Sequence, residues 1–207
     1  MNYTKRIDLG ALATIFTVGA TLTAIHFGIP TSIQKQLALD QSHPEPWMFL
    51  TSAYVHNSTQ HLVGNLLGFG IGAVVASQLC DLQGRRRWFR VTTGLLLLVL
   101  PVLVGLTDFV VFQSQGLEPT TRGFSAVVAG CVGFVLVALA RWVADRYGQR
   151  IGSNMGLVVF LLLMGEILFI YQNGHLVGLG PLLLLFTGLS LTLGTVVRRV
   201  GKKEWRG

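Results

Sequence analysis

Charged residues are scarce in this sequence, and that scarcity excludes several classes of protein. Of the 207 residues only 12% are charged, whereas 51% are hydrophobic and the mean hydropathy is +0.60. Soluble globular domains carry about 25% charged residues, and disordered chains combine low hydrophobicity with high charge. Cysteine is scarce as well: the two cysteines, Cys80 and Cys131, show no framework spacing, which excludes a small secreted module held together by disulfides.

The sequence contains instead a series of long apolar runs. A helix that spans the hydrocarbon core needs about 20 mostly apolar residues, and six runs approach this length. The first run is longer than the apolar region of a signal peptide and no A-x-A site ends it, so we interpret it as a retained helix. We predict an all-α polytopic membrane protein, with residues 1–207 as one transmembrane domain and residues 30–57 as its long loop. The predicted spans are 9–29, 58–79, 91–112, 123–143, 155–171 and 174–197.

Basic residues indicate which ends of these spans face the cytoplasm, because Lys and Arg concentrate in cytoplasmic loops. Of the 16 basic residues, Lys35 and Arg122 fall on one predicted side and the rest fall on the other. We therefore expect both termini in the cytoplasm. The net charge of +7 is then loop charge, and we expect no nucleic-acid partner. The residues on the cytoplasmic side are Lys5, Arg6, Arg85, Arg86, Arg87, Arg90, Arg141, Arg146, Arg150, Arg198, Arg199, Lys202, Lys203 and Arg206.

Polar side chains recur near the predicted outer ends of three spans. His61 and Asn65 are four residues apart on the second span, so they share one helix face. Ser125 lies at the start of the fourth span and His175 at the start of the sixth. With a rise of about 1.5 Å per residue, we expect all four within roughly 10 Å of one another along the membrane normal. Ionisable groups are costly in a bilayer, so this layer is a candidate functional site.

Each of these residues also has a plainer interpretation. Serine and asparagine commonly join helices in membranes, and His56, His61 and His175 could together bind zinc. The combination of a nucleophile, a base and side-chain donors nevertheless meets the needs of acyl transfer. We therefore favour a hydrolase that uses no metal and no cofactor. A transporter is the alternative, although it would require broken helices at the midplane.

Other intramembrane residues receive structural interpretations. Gly64, Gly68 and Gly72 recur every four residues on the second span, a spacing that lets helix backbones approach closely. Asp108, near the outer end of the third span, is interpreted as a carboxylate at the membrane interface, with a third catalytic group as the alternative. Glu166, in the middle of the fifth span, is interpreted as paired inside the bundle.

Three motifs resemble those of the rhomboid intramembrane proteases. Residues 56–65 (HNSTQHLVGN) resemble the family's H-x₄-H-x₃-N signature, and residues 123–126 (GFSA) its G-x-S-[GA] nucleophile motif. Residues 174–178 (GHLVG) are similar to its H-x-x-G motif on the last helix, and residues 46–54 resemble the segment that leads into its second helix. The resemblance implies a rhomboid-like bundle of six helices with both termini inside. It also implies an intramembrane serine endopeptidase that acts on single-span membrane proteins in the lipid bilayer.

The resemblance also implies a role for each matched residue. Ser125 would be the nucleophile and His175 the general base of a dyad without a carboxylate. The oxyanion would be bound by His61, Asn65 and the Ser125 N–H. The accessory positions of the motifs are His56, Gly123 and Gly178. The site would lie toward the exoplasmic side, in a multi-pass protein expected in the cell membrane. A catalytically silent relative that binds or escorts membrane proteins is the alternative.

Overall fold

A computed structural model describes residues 9–158 of the protein. The chain divides into two compact units, residues 1–135 and 136–207. The predicted sixth span, with His175 and Gly178, and most of the predicted fifth span, with Glu166, lie outside the described residues. The described part of the first unit consists of helices and one short pair of strands. In chain order these are α1 (Leu9–Gly28), α2 (Thr31–Leu37), β1 (Leu39–Asp40), α3 (Met48–Thr51), a 3₁₀ turn (Ser52–Tyr54), α4 (Thr59–Leu82), α5 (Arg86–Leu98), α6 (Leu100–Ser114), β2 (Thr120–Thr121) and α7 (Ser125–Tyr147), which continues into the second unit.

Four stretches of helix in the described part of the chain are long and apolar enough to cross a membrane. They are α1, α4, the consecutive helices α5 and α6, and α7. Large apolar side chains on these helices are exposed, including Phe16 on α1, Ile71 on α4 and Val110 on α6. Lipid tails are as apolar as these side chains, so such faces are compatible with a bilayer. The prediction of a helical, multi-pass membrane protein is confirmed at this level, whereas the count of six spans and their orientation stay predictions.

The predicted third span, residues 91–112, lies within one apolar stretch that is long enough to cross a membrane, but this stretch consists of two consecutive helices. The apolar stretch runs over Arg86–Ser114, and it changes from α5 to α6 at Val99. Pro101 explains the break, because proline has no N–H to donate to the carbonyl of the residue four positions earlier. That residue is Leu97, and its carbonyl accepts a hydrogen bond from Tyr54 Oη instead. A side chain from the 3₁₀ turn thus replaces the helical bond that Pro101 removes.

The interpretation of residues 30–57 as a simple loop is also wrong, because this segment contains two short helices, a 3₁₀ turn and a strand. Its first helix, α2, folds back on the end of α1. The buried Gln34 side chain donates from Nε2 to the carbonyl of Ile29 at 2.8 Å and to that of His26 at 3.0 Å. The last carbonyls of a helix lack intrahelical partners, so Gln34 caps α1 from outside. This capping was not visible in the apolar pattern.

A two-residue antiparallel ladder joins this segment to the residues that precede α7. Leu39 pairs with Thr121 and Asp40 pairs with Thr120. Buried Gln41 extends the connection, because its carbonyl accepts a hydrogen bond from Gln113 Nε2 at 2.9 Å. The chain that leads into α7 is therefore held by a partner about 80 residues earlier in the sequence.

Helices α4 and α7 approach closely where α4 carries two of its glycines. A Cβ at Gly68 would lie 2.7 Å from Val128 Cγ1, and one at Gly72 would lie 3.0 Å from Cys131 Sγ. Real Cβ atoms essentially never approach another atom to under 3.0 Å, so at Gly68 only glycine fits without a shift. The expected role of the glycine stripe in helix packing is confirmed at these two positions. A Cβ at Gly64, in contrast, would meet no side chain and no other helix within 4 Å among the described residues.

In the second unit, the end of α7 packs against the helical residues 149–158. Gly148 makes the turn between them with φ +105°. A Cβ at Gly152 would lie 2.7 Å from the carbonyl oxygen of Ala140, so the two helices are in backbone contact there. The helical residues begin before the predicted fifth span, which was expected to start at residue 155.

Candidate active site

Ser125 is the first residue of α7, and the residue before it fixes the position of this helix end. Phe124 is fully buried and its ring contacts two other rings, that of Tyr54 with centroids 5.7 Å apart and that of Phe69 at 5.4 Å. Ser125 itself is exposed. The N–H groups of a first helical turn have no intrahelical acceptor. Backbone N–H donors therefore lie beside the exposed Ser125.

Gly123 occupies a position that excludes other residues on two counts. Its φ of +129° is a backbone conformation that side-chain-bearing residues rarely adopt. A Cβ there would also lie 2.5 Å from Cε1 of the His61 ring. Its N–H donates a hydrogen bond of 3.0 Å to the carbonyl of Ser52. The imidazole of His61 therefore lies directly against the backbone two residues before Ser125.

His61 reaches this position because α4 begins shortly before it. Ser58 is the N-cap of α4, and its side chain accepts a hydrogen bond from the His61 N–H at 3.2 Å. One turn further along the helix, Asn65 is buried at 6% exposure. Both His61 and Asn65 lie within α4, and residues four apart in a helix share one face.

Asn65 is held by the first histidine of the signature. Its Nδ2 lies 3.0 Å from Nε2 of His56, and both side chains are buried. Burial lowers the pKa of His56 from 6.5 to about 4, and the nearby His61 and His26 act in the same direction. A neutral imidazole can accept at Nε2, so Asn65 donates one amide N–H to His56. The second amide N–H is then available to another acceptor.

A third imidazole, which the sequence interpretation did not include, joins these two. His26 lies near the end of α1, with its ring 6.5 Å from the His56 ring, and the His56 ring is 5.3 Å from the His61 ring. Nε2 of His26 lies 3.2 Å from Thr59 Oγ1, so it also links α1 to the start of α4. The sequence did contain a signal for His26, because this residue lies at the predicted outer end of the first span. The other candidate residues were predicted at the same depth in the membrane.

The zinc alternative is not tested by the described residues. Within residues 9–158, no three side chains of His, Cys, Asp or Glu are grouped so that they could hold a metal ion. The zinc alternative named His56 and His61 together with His175, and His175 lies outside the described residues. Cys80 and Cys131 are buried free thiols.

A cavity of about 350 Å³ opens beside Ser125. Its wall includes polar groups from three parts of the first unit: the 3₁₀ turn, α6 and the strand before α7. Asp108 belongs to this wall and so lines the same cavity as the candidate nucleophile, whereas its interpretation as an interface carboxylate stays a prediction. No motif marks Asp108, and it lines this cavity only in the folded chain. The lining residues are Ser52, Ala53, Asn57, Pro101, Val104, Gly105, Asp108, Thr120, Thr121, Arg122, Gly123, Ser125 and Ala126.

The structure thus brings several of the sequence candidates together in the first unit. Ser125 and Gly123 line the cavity, His61 contacts Gly123, and Asn65 is hydrogen-bonded to His56. The remaining candidates, His175 and Gly178, fall outside the described residues.

Comparison with known proteins gives one family. The family model described as Rhomboid domain matches residues 43–193, which include all three motifs. Neither a curated protein nor a solved structure matches the chain.

Proposed function

The chain belongs to the rhomboid family, and from this membership we propose that it is an intramembrane serine endopeptidase. It cleaves transmembrane segments of other membrane proteins near the outer face of the bilayer. Ser125 is the nucleophile and His175 is the general base. His61, Asn65 and the Ser125 N–H bind the oxyanion. His56, Gly123 and Gly178 are accessory residues.

The observation that carries this proposal is the contact between the His61 ring and the backbone at Gly123. A histidine from α4 lies against the chain two residues before Ser125, in a place where a Cβ would be 2.5 Å from the ring. Oxyanion donors must lie beside the carbon that the nucleophile attacks. The same serine is exposed to a cavity with polar walls, which is what hydrolysis inside a membrane requires. A helix-packing serine would need neither feature.

The chemistry follows from these groups. Ser125 Oγ attacks the scissile carbonyl while His175 accepts the hydroxyl proton, because a serine hydroxyl is a weak nucleophile until a base removes that proton. The tetrahedral oxyanion accepts hydrogen bonds from His61, the amide of Asn65 and the N–H of Ser125. His175 then returns the proton to the departing amine, which leaves an acyl-enzyme. Water entering the cavity then attacks this ester while His175 accepts its proton. His175 returns that proton to Ser125 Oγ as the carboxylic acid product leaves.

The bilayer restricts which segments can be cleaved. Carbonyls of a transmembrane helix are hydrogen-bonded within the helix and shielded by side chains, so the scissile region must unwind locally. The substrates are therefore single-span membrane proteins that carry small or helix-breaking residues near the outer end of the span. The chain is an integral membrane protein, and we place it in the cell membrane with six spans, both termini inside and Ser125 toward the exoplasmic side.

Labelling of the purified protein by a serine-reactive fluorophosphonate tests the proposal. We expect labelling of the wild type, loss of labelling in Ser125→Ala and retention in Ser114→Ala. Ser114 is a matched control because it is an exposed serine at the end of α6, outside the cavity. Absence of labelling in a folded wild-type protein would favour the silent, escorting relative.

The proposed division of roles predicts different losses in two further measurements of substrate cleavage in proteoliposomes. Ser125→Ala should abolish turnover. Asn65→Ala should lower kcat by roughly 10²–10³-fold, the usual effect of removing one oxyanion donor, while fluorophosphonate labelling persists. Equal loss in the two variants at saturating substrate would contradict the assignment of Asn65.

A further inference from the structure

The cavity beside Ser125 carries two opposite charges that the proposed reaction does not use. Asp108 on α6 is half-buried, and Arg122 precedes α7 by three residues. Both line the cavity. Neither side chain has an ion-pair partner among residues 9–158, so the two do not form an ion pair with each other. In the same range the Nε of Arg122 is buried without a hydrogen-bond partner.

An unpaired carboxylate in such a cavity favours some peptide segments over others. A charged group that has left water is stabilised when it receives hydrogen bonds from an opposite charge. A substrate segment entering the cavity with Lys or Arg beside the scissile bond would supply that partner. A segment with Glu at the same place would bring a second negative charge close to this carboxylate, and like charges repel.

We propose that Asp108 is a specificity-determining residue of this site, which selects substrates with a lysine or arginine side chain next to the scissile bond. The proposal rests on the proposed function, because it assigns a side chain of the cavity to substrate choice at Ser125. It assigns no chemical step to Asp108. The neighbouring Arg122 is suited to substrate carbonyl groups, which every peptide carries, and so contributes less to discrimination.

A lysine or arginine beside the scissile bond is rare among transmembrane substrates, so a preference for it would select few proteins. Lysine and arginine are costly within transmembrane segments and are therefore rare there. Few single-span proteins carry one near the outer part of the span, so a protease with a cavity carboxylate could distinguish them from the majority. The expected discrimination is about tenfold in kcat/KM, the size of one hydrogen bond to a charged group.

The test is a competition among model substrates in proteoliposomes. The substrates share one single-span sequence and differ only in one residue near the scissile bond, set in turn to Lys, Gln or Glu at each of several positions. For the wild type we expect, at one or more positions, a kcat/KM for Lys about tenfold above that for Glu, with Gln between them. Asp108→Asn should reduce this ratio to within about twofold, and Asp108→Lys should invert it.

Glu118→Gln is the matched control. It removes one negative charge from the segment between α6 and β2, where Glu118 is exposed and outside the cavity lining. This variant should keep the wild-type preference for Lys. A general effect of charge at the membrane surface would instead lower the preference in both variants, and that result would overturn the proposal.

Two readouts separate failure of this inference from failure of the proposed function. Fluorophosphonate labelling of Asp108→Asn and its cleavage of the Gln substrate report that the catalytic site is intact. If both persist and the Lys-to-Glu ratio equals that of the wild type, the assignment of Asp108 is wrong and the protease proposal stands. If the wild type cleaves no substrate and takes up no label, both proposals fail.

Discussion

Replacing Gly123 by alanine is the sharpest single perturbation of the site, because the structure gives both of its effects. The new Cβ would lie 2.5 Å from Cε1 of the His61 ring, whereas carbon atoms in contact are separated by about 3.5–4.0 Å. The ring must therefore move by roughly 1 Å or more. The backbone at φ +129° adds strain of about 1–3 kcal/mol for a residue with a side chain.

These two effects predict different losses. The displacement of His61 should lower kcat for substrate cleavage by about 10²-fold, as misplacement of a catalytic group by about 1 Å does. The strain should lower the free energy of unfolding by about 1–3 kcal/mol. Cleavage in proteoliposomes measures the first effect, and thermal unfolding in detergent measures the second.

Gly116→Ala provides the control. Gly116 also has a positive φ, +65°, but a Cβ there would meet nothing within 4 Å among the described residues. This variant should lose about 1 kcal/mol of stability and keep its activity. A second control is Gly123→Ala in a His61→Ala background, where the steric contact is absent and the further loss of kcat should be small. If Gly123→Ala cleaves as fast as Gly116→Ala, the proposed placement of His61 beside the reacting atoms is wrong.

Two other predictions concern stability. Because burial lowers the pKa of His56 from 6.5 to about 4, the unfolded chain binds more protons than the folded chain between these values, so the free energy of unfolding should fall as the pH drops through this range. Denaturation at a series of pH values should show a smaller slope for His56→Asn, and an unchanged slope would refute the assignment. Tyr54→Phe leaves the Leu97 carbonyl without the hydrogen bond it receives and should lower stability by about 1 kcal/mol. Thermal unfolding should show a smaller cost in a Pro101→Ala background, where the helix can supply the missing N–H; equal costs in both backgrounds would contradict this account of the α5–α6 break.

The sequence was sufficient for features that depend on local periodicity or on the length of an apolar run. The apolar character and approximate bounds of α1, α4 and α7 follow from the need to cross a bilayer. The shared face of His61 and Asn65 follows from helical spacing. The close approach of another helix at Gly68 and Gly72 follows from the small-residue pattern, although the pattern does not identify α7 as that helix. Each of these inferences uses the residues of a single helix.

Features that depend on distant parts of the chain were not predictable in this way. The pairing of Leu39 with Thr121 joins segments that share no pattern. The hydrogen bond from the Tyr54 hydroxyl to the Leu97 carbonyl forms only when the 3₁₀ turn packs on α5. Asp108 and Ser125 line one cavity only in the folded chain. Such contacts reflect tertiary packing, which a hydropathy pattern does not encode.

The short ladder between β1 and β2 has a mechanical consequence. Thr121 is paired with Leu39, and four residues later the chain reaches Ser125. Few rotatable bonds therefore separate the segment 30–57 from Ser125, and a hydrogen bond from the Gly123 N–H to the Ser52 carbonyl restrains the intervening residues again. A force applied to that segment is transmitted through few bonds to the Ser125 backbone, so we expect a ligand or antibody that binds residues 30–57 to shift the proposed nucleophile.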